Sequence, residues 1–381
     1  MTASGHSRLL KILHIDPERY WGGGEAQVLG LLAHLVERGH HNDLLTHPDS
    51  RLFHQSQALG VKTFPLVIRN DLDVRPVPRV RRLIRAEHYD IIHFHTKRAH
   101  TFSLWLARSL PTPKHVVTRR MDYPEANNWY TRYLYNQKVD GVIAISRKIV
   151  ELLVQAGVDP EKIRLIYSGI DLRRFEPAPS DCGVQNEEIV VGMAAVLEER
   201  KGHRFLLEAA RQLKAQGCRI QYYLAGEGSL RKSLEEMSSR LGLKENVRFL
   251  GFVADMPAFL SKVDIFVLPS LFEGLGVSVL EAMAAGKPVI ASRVGGLAEL
   301  VIDAVTGFLV GPGDIEGLAG AILKLEGDRA MIGEMGRKGR ERVRENFTME
   351  QMARQNEEYY YDLLGRTGNP LGIREMGSSL E

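Results

Sequence analysis

Two glutamates, Glu273 and Glu281, have the spacing that points most clearly to chemistry. They flank the loop Gly274-Leu275-Gly276, which follows an apolar run at residues 265–268 and precedes a helical pattern from Val277. Glycine lets a backbone approach a ligand closely, and the unpaired first N–H groups of a helix attract anions. Two carboxylates beside such an anion site can hold the hydroxyls of a ribose and of a sugar on either side of a diphosphate. The alternative is that both glutamates cap helices or pair with arginines.

The elements that must position this loop are short apolar strands that alternate with helices. The pattern predicts strands at residues 10–15, 90–94, 114–118 and 141–146, and later at 189–193, 220–225, 247–250, 265–268, 288–291 and 308–310. Trp21 to Glu25 is predicted to form a glycine loop before a helix at 26–38, and a further helix is predicted at 349–364. Strands that alternate with helices predict parallel βαβ units.

The fold class is therefore α/β, with two Rossmann-like domains that face each other across a cleft. We expect an N-terminal acceptor domain at 1–175 and a C-terminal donor domain at 186–348. The final helix, 349–364, is expected to cross back to the first domain. Pro177, Pro179 and Gly183 mark a linker between the domains, and residues 365–381 are expected to be frayed. Ligands of open parallel sheets bind beyond the carboxyl ends of the strands, so the cleft is where we expect the site.

The composition limits the classes of protein. A length of 381 residues favours about two domains of roughly 150–200 residues, and 44% hydrophobic and 25% charged residues are typical of a soluble globular protein. No run of about 18 apolar residues predicts a transmembrane helix, and the polar start argues against a secretory signal. The two cysteines have no metal-ligand spacing and suit a reducing cytoplasm.

The charge is divided unevenly along the chain. Residues 1–175 carry 26 Lys+Arg against 17 Asp+Glu (+9), and the remainder carries 24 against 30 (−6), which sum to the overall +3. The stretch from Arg69 to Arg132 is basic and contains Phe102, Trp105 and Trp129. It suits an anionic, lipid-linked acceptor at the inner face of the cytoplasmic membrane, although a solvated basic face would look the same. Nucleic acid is not expected, because no nucleic-acid-binding module is present.

The wider set of motifs resembles family 4 of the retaining GT-B glycosyltransferases. Glu273 and Glu281 with seven residues between them match the family's signature, and the similarity covers nearly the whole chain. The other matching motifs, in chain order, are Gly22-Gly23-Gly24-Glu25, Ser168-Gly169-Ile170-Asp171, Arg200-Lys201-Gly202, Gly226-Glu227-Gly228, Gly251-Phe252-Val253 and Gly295-Gly296 with Glu299.

The resemblance implies a role for individual residues of the donor site. Lys201 would contact the donor diphosphate, Glu281 would accept hydrogen bonds from ribose hydroxyls, and Glu273 would bind hydroxyls of the transferred sugar. Glu273 and Lys201 are accordingly expected to be catalytic. Further donor contacts are implied for Gly23, Gly24, Gly226, Gly228, Val253, Gly274, Leu275, Gly276 and Val277. Gly226-Glu227-Gly228 lacks the third glycine of a dinucleotide fingerprint, so NAD is not expected.

The sequence departs from the family pattern at two places. Val196 stands where the family often has a phosphate-binding arginine, so that contact is either missing or supplied by Arg200. Arg120 stands where the family often has a histidine near the reacting centre. We therefore expect Arg120 to be catalytic and to contact the acceptor together with Arg119 and Asp122.

A strand end, Ile91-Ile92-His93-Phe94-His95, adds a further candidate. His95 is expected to face the acceptor and to be catalytic, although a histidine at a strand end is more often structural. No cluster of His, Asp or Glu has the sequence spacing of a metal site, and Asp71-Leu72-Asp73 falls in a polar loop. No essential metal and no cofactor are therefore expected.

The predicted reaction is transfer of a sugar from a nucleotide-diphosphate sugar, with retained configuration, to a glycan or lipid-linked acceptor. A UDP-sugar is favoured, with GDP- and ADP-sugars as alternatives, and lipopolysaccharide or other cell-envelope polysaccharide synthesis is the expected setting. The rival hypotheses are a GT-B epimerase, a phosphorylase with a lysine-bound pyridoxal cofactor, and a non-catalytic protein that binds sugar nucleotides or glycans. The presence of both glutamates argues against the last.

Overall fold

The computed structural model describes residues 8–106, 113–175 and 188–365. The predicted linker at 176–185 and the predicted frayed tail from 366 onward lie outside these residues. The domain boundaries at 175 and 186 therefore stay a prediction. No helix in the described part of the chain combines the length and the apolar character needed to span a membrane.

Thirteen strands are present in the described residues. They are β1 (Lys11–Asp16), β2 (His41–Thr46), β3 (Lys62–Pro65), β4 (Ile91–Phe94), β5 (Lys114–Arg119), β6 (Gly141–Ala144), β7 (Ile163–Leu165), β8 (Ile189–Ala194), β9 (Ile220–Ala225), β10 (Val247–Gly251), β11 (Ile265–Leu268), β12 (Val289–Ser292) and β13 (Gly307–Val310). All ten predicted strands are confirmed to within two residues at each end. The sequence prediction missed β2, β3 and β7, two of which are short edge strands.

Fourteen α-helices connect or cover these strands within the same ranges. They are α1 (Gly23–Glu37), α2 (Arg51–Ala58), α3 (Val77–Glu87), α4 (Lys97–Phe102), α5 (Trp129–Arg132), α6 (Arg147–Gln155), α7 (His203–Ala215), α8 (Arg231–Arg240), α9 (Met256–Leu260), α10 (Val277–Ala284), α11 (Leu297–Leu300), α12 (Ile315–Glu326), α13 (Arg329–Asn346) and α14 (Met349–Leu363). The predicted glycine loop needs a correction. Helix α1 begins at Gly23 rather than Ala26, so Gly23 and Gly24 form its first turn.

The strands form two parallel sheets of Rossmann type. The first has the order β3-β2-β1-β4-β5-β6-β7 and the second the order β10-β9-β8-β11-β12-β13. In each sheet the strand order reverses direction next to the first strand, between β1 and β4 and between β8 and β11. The loops that leave the carboxyl ends of such a pair diverge and open a crevice, which is where ligands of open α/β sheets bind. The predicted two-domain α/β architecture is confirmed.

The last helix, α14, packs on the first domain as predicted. Its start is fixed by Thr348, whose hydroxyl accepts a hydrogen bond from Gln351 N (3.1 Å) while the Gln351 side chain accepts one from Thr348 N (3.0 Å). Tyr360 is fully buried beside Leu10, Ile12 and Leu31 of the first domain. Burial of an aromatic side chain of this size removes roughly 150–250 Å² from water, so α14 contributes substantially to the core of the first domain. In the sequence, this helix follows the second domain.

Candidate active site

The predicted donor loop, residues 269–276, leaves the carboxyl end of β11 and turns sharply into α10. Gly276, just before the helix, has φ +96°, a conformation that side-chain-bearing residues rarely adopt. A Cβ built on Gly276 would also lie 2.5 Å from Leu297 Cδ2, so the Leu297 side chain would have to shift as well. Helix α10 starts at Val277 as predicted, and its first N–H groups lie at the end of the loop that carries Glu273 and Gly274.

A lysine–glutamate pair joins the loops that follow β8 and β11. The Lys201 ammonium donates a hydrogen bond to the Glu273 carboxylate, and both side chains are nearly buried, at 12% and 11% exposure. The loops are held together by Leu271 N, which donates to Arg200 O at 2.7 Å. A Cβ on Gly202 would lie 2.0 Å from Pro269 O, so glycine is needed for this approach. Lys201 and Glu273, which were both predicted for the donor site, therefore meet at the second sheet's switch point.

Glu281 lies in the second turn of α10 with its carboxyl group uncommitted. It makes no side-chain hydrogen bond or ion pair within the described ranges. Burial raises the pKa of Glu281 to about 7, and the charge of Arg174 opposes this shift. A partly buried carboxylate without a partner is suited to accept hydrogen bonds from a ligand's hydroxyl groups.

The glycines of two neighbouring loops allow close backbone packing. A Cβ on Gly226, which has φ +139°, would lie 1.9 Å from Ala195 O, and one on Gly228 would lie 2.4 Å from Leu197 O. Gly226 N also donates to Gly251 O at 2.7 Å, which brings the turn that contains Val253 beside the loop after β9. The predicted nucleotide-binding motifs thus lie side by side at one sheet edge, and loop packing accounts for the identity of these two glycines.

Residues of the two domains meet directly at this loop. A Cβ on Gly23, in the first turn of α1, would lie 3.1 Å from Val277 Cβ, in the first turn of α10. A Cβ on Gly274 would lie 2.1 Å from Arg120 O. The starts of two helices from opposite domains therefore lie in contact, and each contributes partial positive charge nearby.

Arg120 lies at this contact, beside two carboxyl groups of the first domain. A Cβ on Gly24 would lie 3.5 Å from Arg120 Cδ. Burial raises the pKa of Asp16 to about 8, with Glu25 adding to the shift, and burial also raises the pKa of Glu25; the nearby Arg120 opposes both shifts. Sequence reasoning missed Asp16, although its position as the last residue of β1 was a usable signal.

The other predicted residues of the first domain lie in different environments. Arg119 is 6% exposed; it pairs with Glu125 (2.9 Å) and donates to Tyr123 O (2.9 Å), so its charge is already used within the fold. Arg200 is likewise paired, through Nε, with Glu198 at 2.9 Å. Asp122, in contrast, reaches the second domain and accepts a hydrogen bond from Glu273 N.

His95 is buried within a group of three histidines that spacing along the sequence did not reveal. His14 Nδ1 and His95 Nε2 lie 2.9 Å apart, and His93 bonds to Tyr360 through Nδ1 (2.6 Å) and to Thr118 through Nε2 (2.7 Å). Their ring nitrogens are close enough together for a metal ion, but most already hydrogen-bond to protein groups. Burial lowers the pKa of all three histidines, so they are neutral at pH 7. Strand register explains the grouping, since His14 is directly beside His93.

Glu299 forms a second contact between the domains. Its carboxylate accepts hydrogen bonds from Arg147 N (2.9 Å) and Lys148 N (3.1 Å) at the start of α6, and from the Tyr167 hydroxyl (2.8 Å). A carboxylate at a helix start is stabilised by the helix dipole. Sequence reasoning noted Glu299 only as part of a motif and did not predict this contact.

Two family models match consecutive parts of the chain. The model described as Glycosyltransferase Family 4 matches residues 21–174, and the model described as Glycosyl transferases group 1 matches residues 176–342. The chain belongs to the family 4, group 1 glycosyltransferases. These enzymes have the GT-B fold, and the observed pair of sheets agrees with it.

Individual relatives are similar over most of this glycosyltransferase. It is 29% identical over 364 residues to the lipopolysaccharide core biosynthesis glycosyltransferase LpsD of Rhizobium meliloti, covering 94% of this chain and 98% of the relative. It is 26% identical over 312 residues to UDP-Gal:alpha-D-GlcNAc-diphosphoundecaprenol alpha-1,3-galactosyltransferase of Escherichia coli, covering 77% and 80%. The crystal structure of HepE from Anabaena in complex with UDP and glucose superimposes with a TM-score of 0.80 at 25% identity, covering 93% and 100%.

Proposed function

We propose that this glycosyltransferase moves a sugar, with retained configuration, from a nucleotide-diphosphate sugar to a glycan or lipid-linked acceptor in cell-envelope polysaccharide or lipopolysaccharide synthesis. The observation that carries the proposal is the meeting of the α1 and α10 starts beside the Lys201–Glu273 pair. Helix starts bind anions, and a lysine in a cleft adds a compact positive charge. A diphosphate fits this combination without needing a metal ion.

The donor contacts follow from the positions of the side chains. Glu281 accepts hydrogen bonds from the ribose hydroxyls, and the lack of a partner for it among the residues that the structure describes supports this role. Glu273 binds hydroxyls of the sugar while Lys201 turns from Glu273 toward the phosphates. Backbone groups of residues 274–277 contact the diphosphate, Gly23 and Gly24 approach it from the first domain, and Val253, with Gly226 and Gly228, borders the base. UDP is the favoured nucleotide, since HepE, a structural neighbour, binds UDP.

In the reaction, the bond between the anomeric carbon and the phosphate oxygen breaks, and its electrons pass to the diphosphate. Fixed N–H groups and cations stabilise that charge, which is electrostatic catalysis by preorganised donors. The acceptor hydroxyl attacks the same face of the sugar, and its proton passes to the departing phosphate oxygen. Asp122, Arg119 and His95 are assigned to the acceptor side. Asp122 lies at the contact between the domains, whereas Arg119 and His95 are buried in the first domain.

A thermal-shift screen with UDP-, GDP- and ADP-sugars tests the donor half of this proposal. A ligand that binds only the folded state raises the apparent stability, by roughly 2.7 kcal/mol at a hundred times its dissociation constant. We expect one nucleotide class to raise the melting temperature. Absence of any shift with all three classes, together with absence of transfer or hydrolysis, would contradict an enzymatic role.

The acceptor half of the proposal includes an anionic membrane surface. Trp129 is 77% exposed and Tyr130 and Tyr133 are exposed near it, while α3 carries Arg79, Arg81, Arg82 and Arg85. Exposed aromatic rings and basic side chains in one domain suit the interface of an anionic membrane. Sedimentation with vesicles should show binding to vesicles that contain phosphatidylglycerol and little binding to neutral vesicles. Equal binding to both would remove this part of the proposal.

A further inference from the structure

The cations near the cleft differ in whether a carboxylate already neutralises them. Lys201 pairs with Glu273, Arg200 with Glu198 and Arg119 with Glu125. Arg120 forms no ion pair and no side-chain hydrogen bond within the ranges that the structure describes, and its Nε is buried without a partner. The two nearest carboxyl groups are engaged elsewhere, because Glu25 accepts a hydrogen bond from Gly22 N (2.7 Å) and Asp16 accepts one from Glu18 N (3.2 Å).

An arginine whose Nε is buried without a hydrogen-bond partner is an unusual feature of a folded protein. Removing an arginine from water without a partner costs several kcal/mol, and buried polar groups are nearly always hydrogen-bonded. Burial indeed lowers the pKa of Arg120, against the opposing charges of Asp16 and Glu25. Such a group is suited to bind an anion, because the anion supplies the missing hydrogen bonds and charge. The guanidinium can also bind two phosphate oxygens at once.

The position of Arg120 indicates which anion this is. Its side chain passes along Gly24 at the start of α1, and its carbonyl touches Gly274 of the donor loop. Gly23 of the same helix start contacts Val277 at the start of α10. The two helix starts and Arg120 are therefore neighbours at the diphosphate position of the proposed function.

We propose that Arg120 binds the donor diphosphate and that the first domain thereby supplies the cation that stabilises the leaving group. This inference rests on the proposed function and changes the role of Arg120 from acceptor contact to phosphate contact. It also explains how the site can bind a diphosphate although Val196 carries no charge on the second-domain side and Arg200 is paired with Glu198. Because the cation comes from the opposite domain, the diphosphate links the two domains when it binds.

Isothermal calorimetry separates this role from an acceptor role. The probes are UDP, GDP and ADP and their nucleosides uridine, guanosine and adenosine. We expect Arg120→Ala to lower the affinity for the nucleoside diphosphate that the wild-type protein binds. The loss should be about 10- to 100-fold, and the affinity for the nucleoside should be unchanged. Arg120→Lys should lose less diphosphate affinity than Arg120→Ala, because the positive charge is kept. The control is Arg164→Ala, since Arg164 is a first-domain arginine already paired with Asp362 (2.9 Å), and it should stay within about twofold of wild type.

Three results distinguish the outcomes. If Arg120→Ala binds the diphosphate like the wild type and instead raises the acceptor KM, the inference is wrong and the proposed function stands. If the wild type binds no nucleoside diphosphate, the proposed function fails first. If Arg120→Ala does not fold, Arg120→Met keeps most of the side-chain volume without the charge, and it should show the same selective loss of diphosphate affinity.

Discussion

The carboxylate of Asp122, in the first domain, accepts a hydrogen bond from the backbone N–H of Glu273, in the second, at an N···O distance of 2.8 Å. A Cβ on Gly295 would lie 3.2 Å from the same carboxylate oxygen, so the contact is closely packed. The first domain thus fixes the backbone of the loop that positions the Glu273 carboxylate. The geometry of the proposed donor loop therefore depends on contact between the domains.

Replacing Glu273 with glutamine should lower the transfer rate. The amide keeps the shape but loses the charge that holds Lys201 and that accepts hydrogen bonds from sugar hydroxyls. We expect kcat to fall by about 10- to 100-fold, which corresponds to roughly 1.4–2.7 kcal/mol of transition-state stabilisation. Steady-state kinetics with the identified donor measure this. A variant with the full wild-type rate would show that Glu273 has been assigned wrongly.

Lys201→Ala should weaken donor binding through the diphosphate. Removal of a charged hydrogen-bond donor costs about 1.5–3 kcal/mol, so the affinity for the nucleoside diphosphate should fall at least about tenfold. Calorimetry with the diphosphate and with the nucleoside measures the effect on each part. Because Glu273 loses its partner in Lys201→Ala, the double variant Lys201→Ala/Glu273→Gln should be measured as well. Unchanged diphosphate affinity in both variants would show that Lys201 does not bind the diphosphate.

Donor affinity should depend on the protonation of Glu281. Burial raises the pKa of Glu281 to about 7, and only the carboxylate accepts two ribose hydrogen bonds. Affinity should therefore rise as the pH increases from about 6 to 8, and Glu281→Gln should flatten that dependence. Because the folded-state pKa lies above the unfolded value, this group lowers the stability of the ligand-free protein as the pH rises from about 4.5 to 7. Equal pH profiles for wild type and Glu281→Gln would contradict the assignment.

The contact of Glu299 with α6 should contribute to stability. Glu299→Ala removes the acceptor for two backbone N–H groups and for the Tyr167 hydroxyl, which should cost roughly 1–3 kcal/mol of unfolding free energy. Chemical denaturation measures the loss, and Tyr167→Phe, which removes one of the three hydrogen bonds, should lose less. Wild-type stability of Glu299→Ala would mean that water replaces the carboxylate without cost.

Val196→Arg should strengthen binding of the nucleoside diphosphate. Val196 follows β8 on the second-domain side and its side chain is 47% exposed, so an arginine fits there without a buried clash. It would add a cation where related enzymes often have one. We expect a gain of severalfold, up to about tenfold, in wild-type protein, and partial recovery when it is combined with Arg120→Ala. Val196→Gln, which is polar but uncharged, should give neither the gain nor the recovery.

The fold could be predicted from the sequence because parallel, doubly covered strands are nearly continuous apolar runs. Runs such as Ile265–Leu268 are fully buried and flanked by helices, so their pattern identifies them. Lys62–Pro65 at the sheet edge is half exposed and contains both polar and apolar residues, so its pattern does not identify it as a strand. The start of α1 was misjudged because glycines usually signal a loop, whereas here they form the first turn of the helix, and Gly23 lies closely against Val277.

The residues of the candidate site also differ in whether the sequence could identify them. Residues of one continuous loop, such as Glu273 and Gly276, could be identified from their spacing, and Lys201 from a motif in the right order. Contacts between distant parts of the chain could not. The grouping of His14 with His93 depends on strand register, and the free charge of Arg120 depends on which arginines have found carboxylates. No local pattern encodes either of these properties.

The burial of Tyr360 in the first domain has a consequence for synthesis on the ribosome. The apolar surface formed by Leu10, Ile12 and Leu31 is translated early, but the helix that covers it is translated only after the whole second sheet. Until then that surface stays open to water and to other nascent chains. The first domain therefore completes its core last, and we expect this face to stay exposed until elongation is nearly finished.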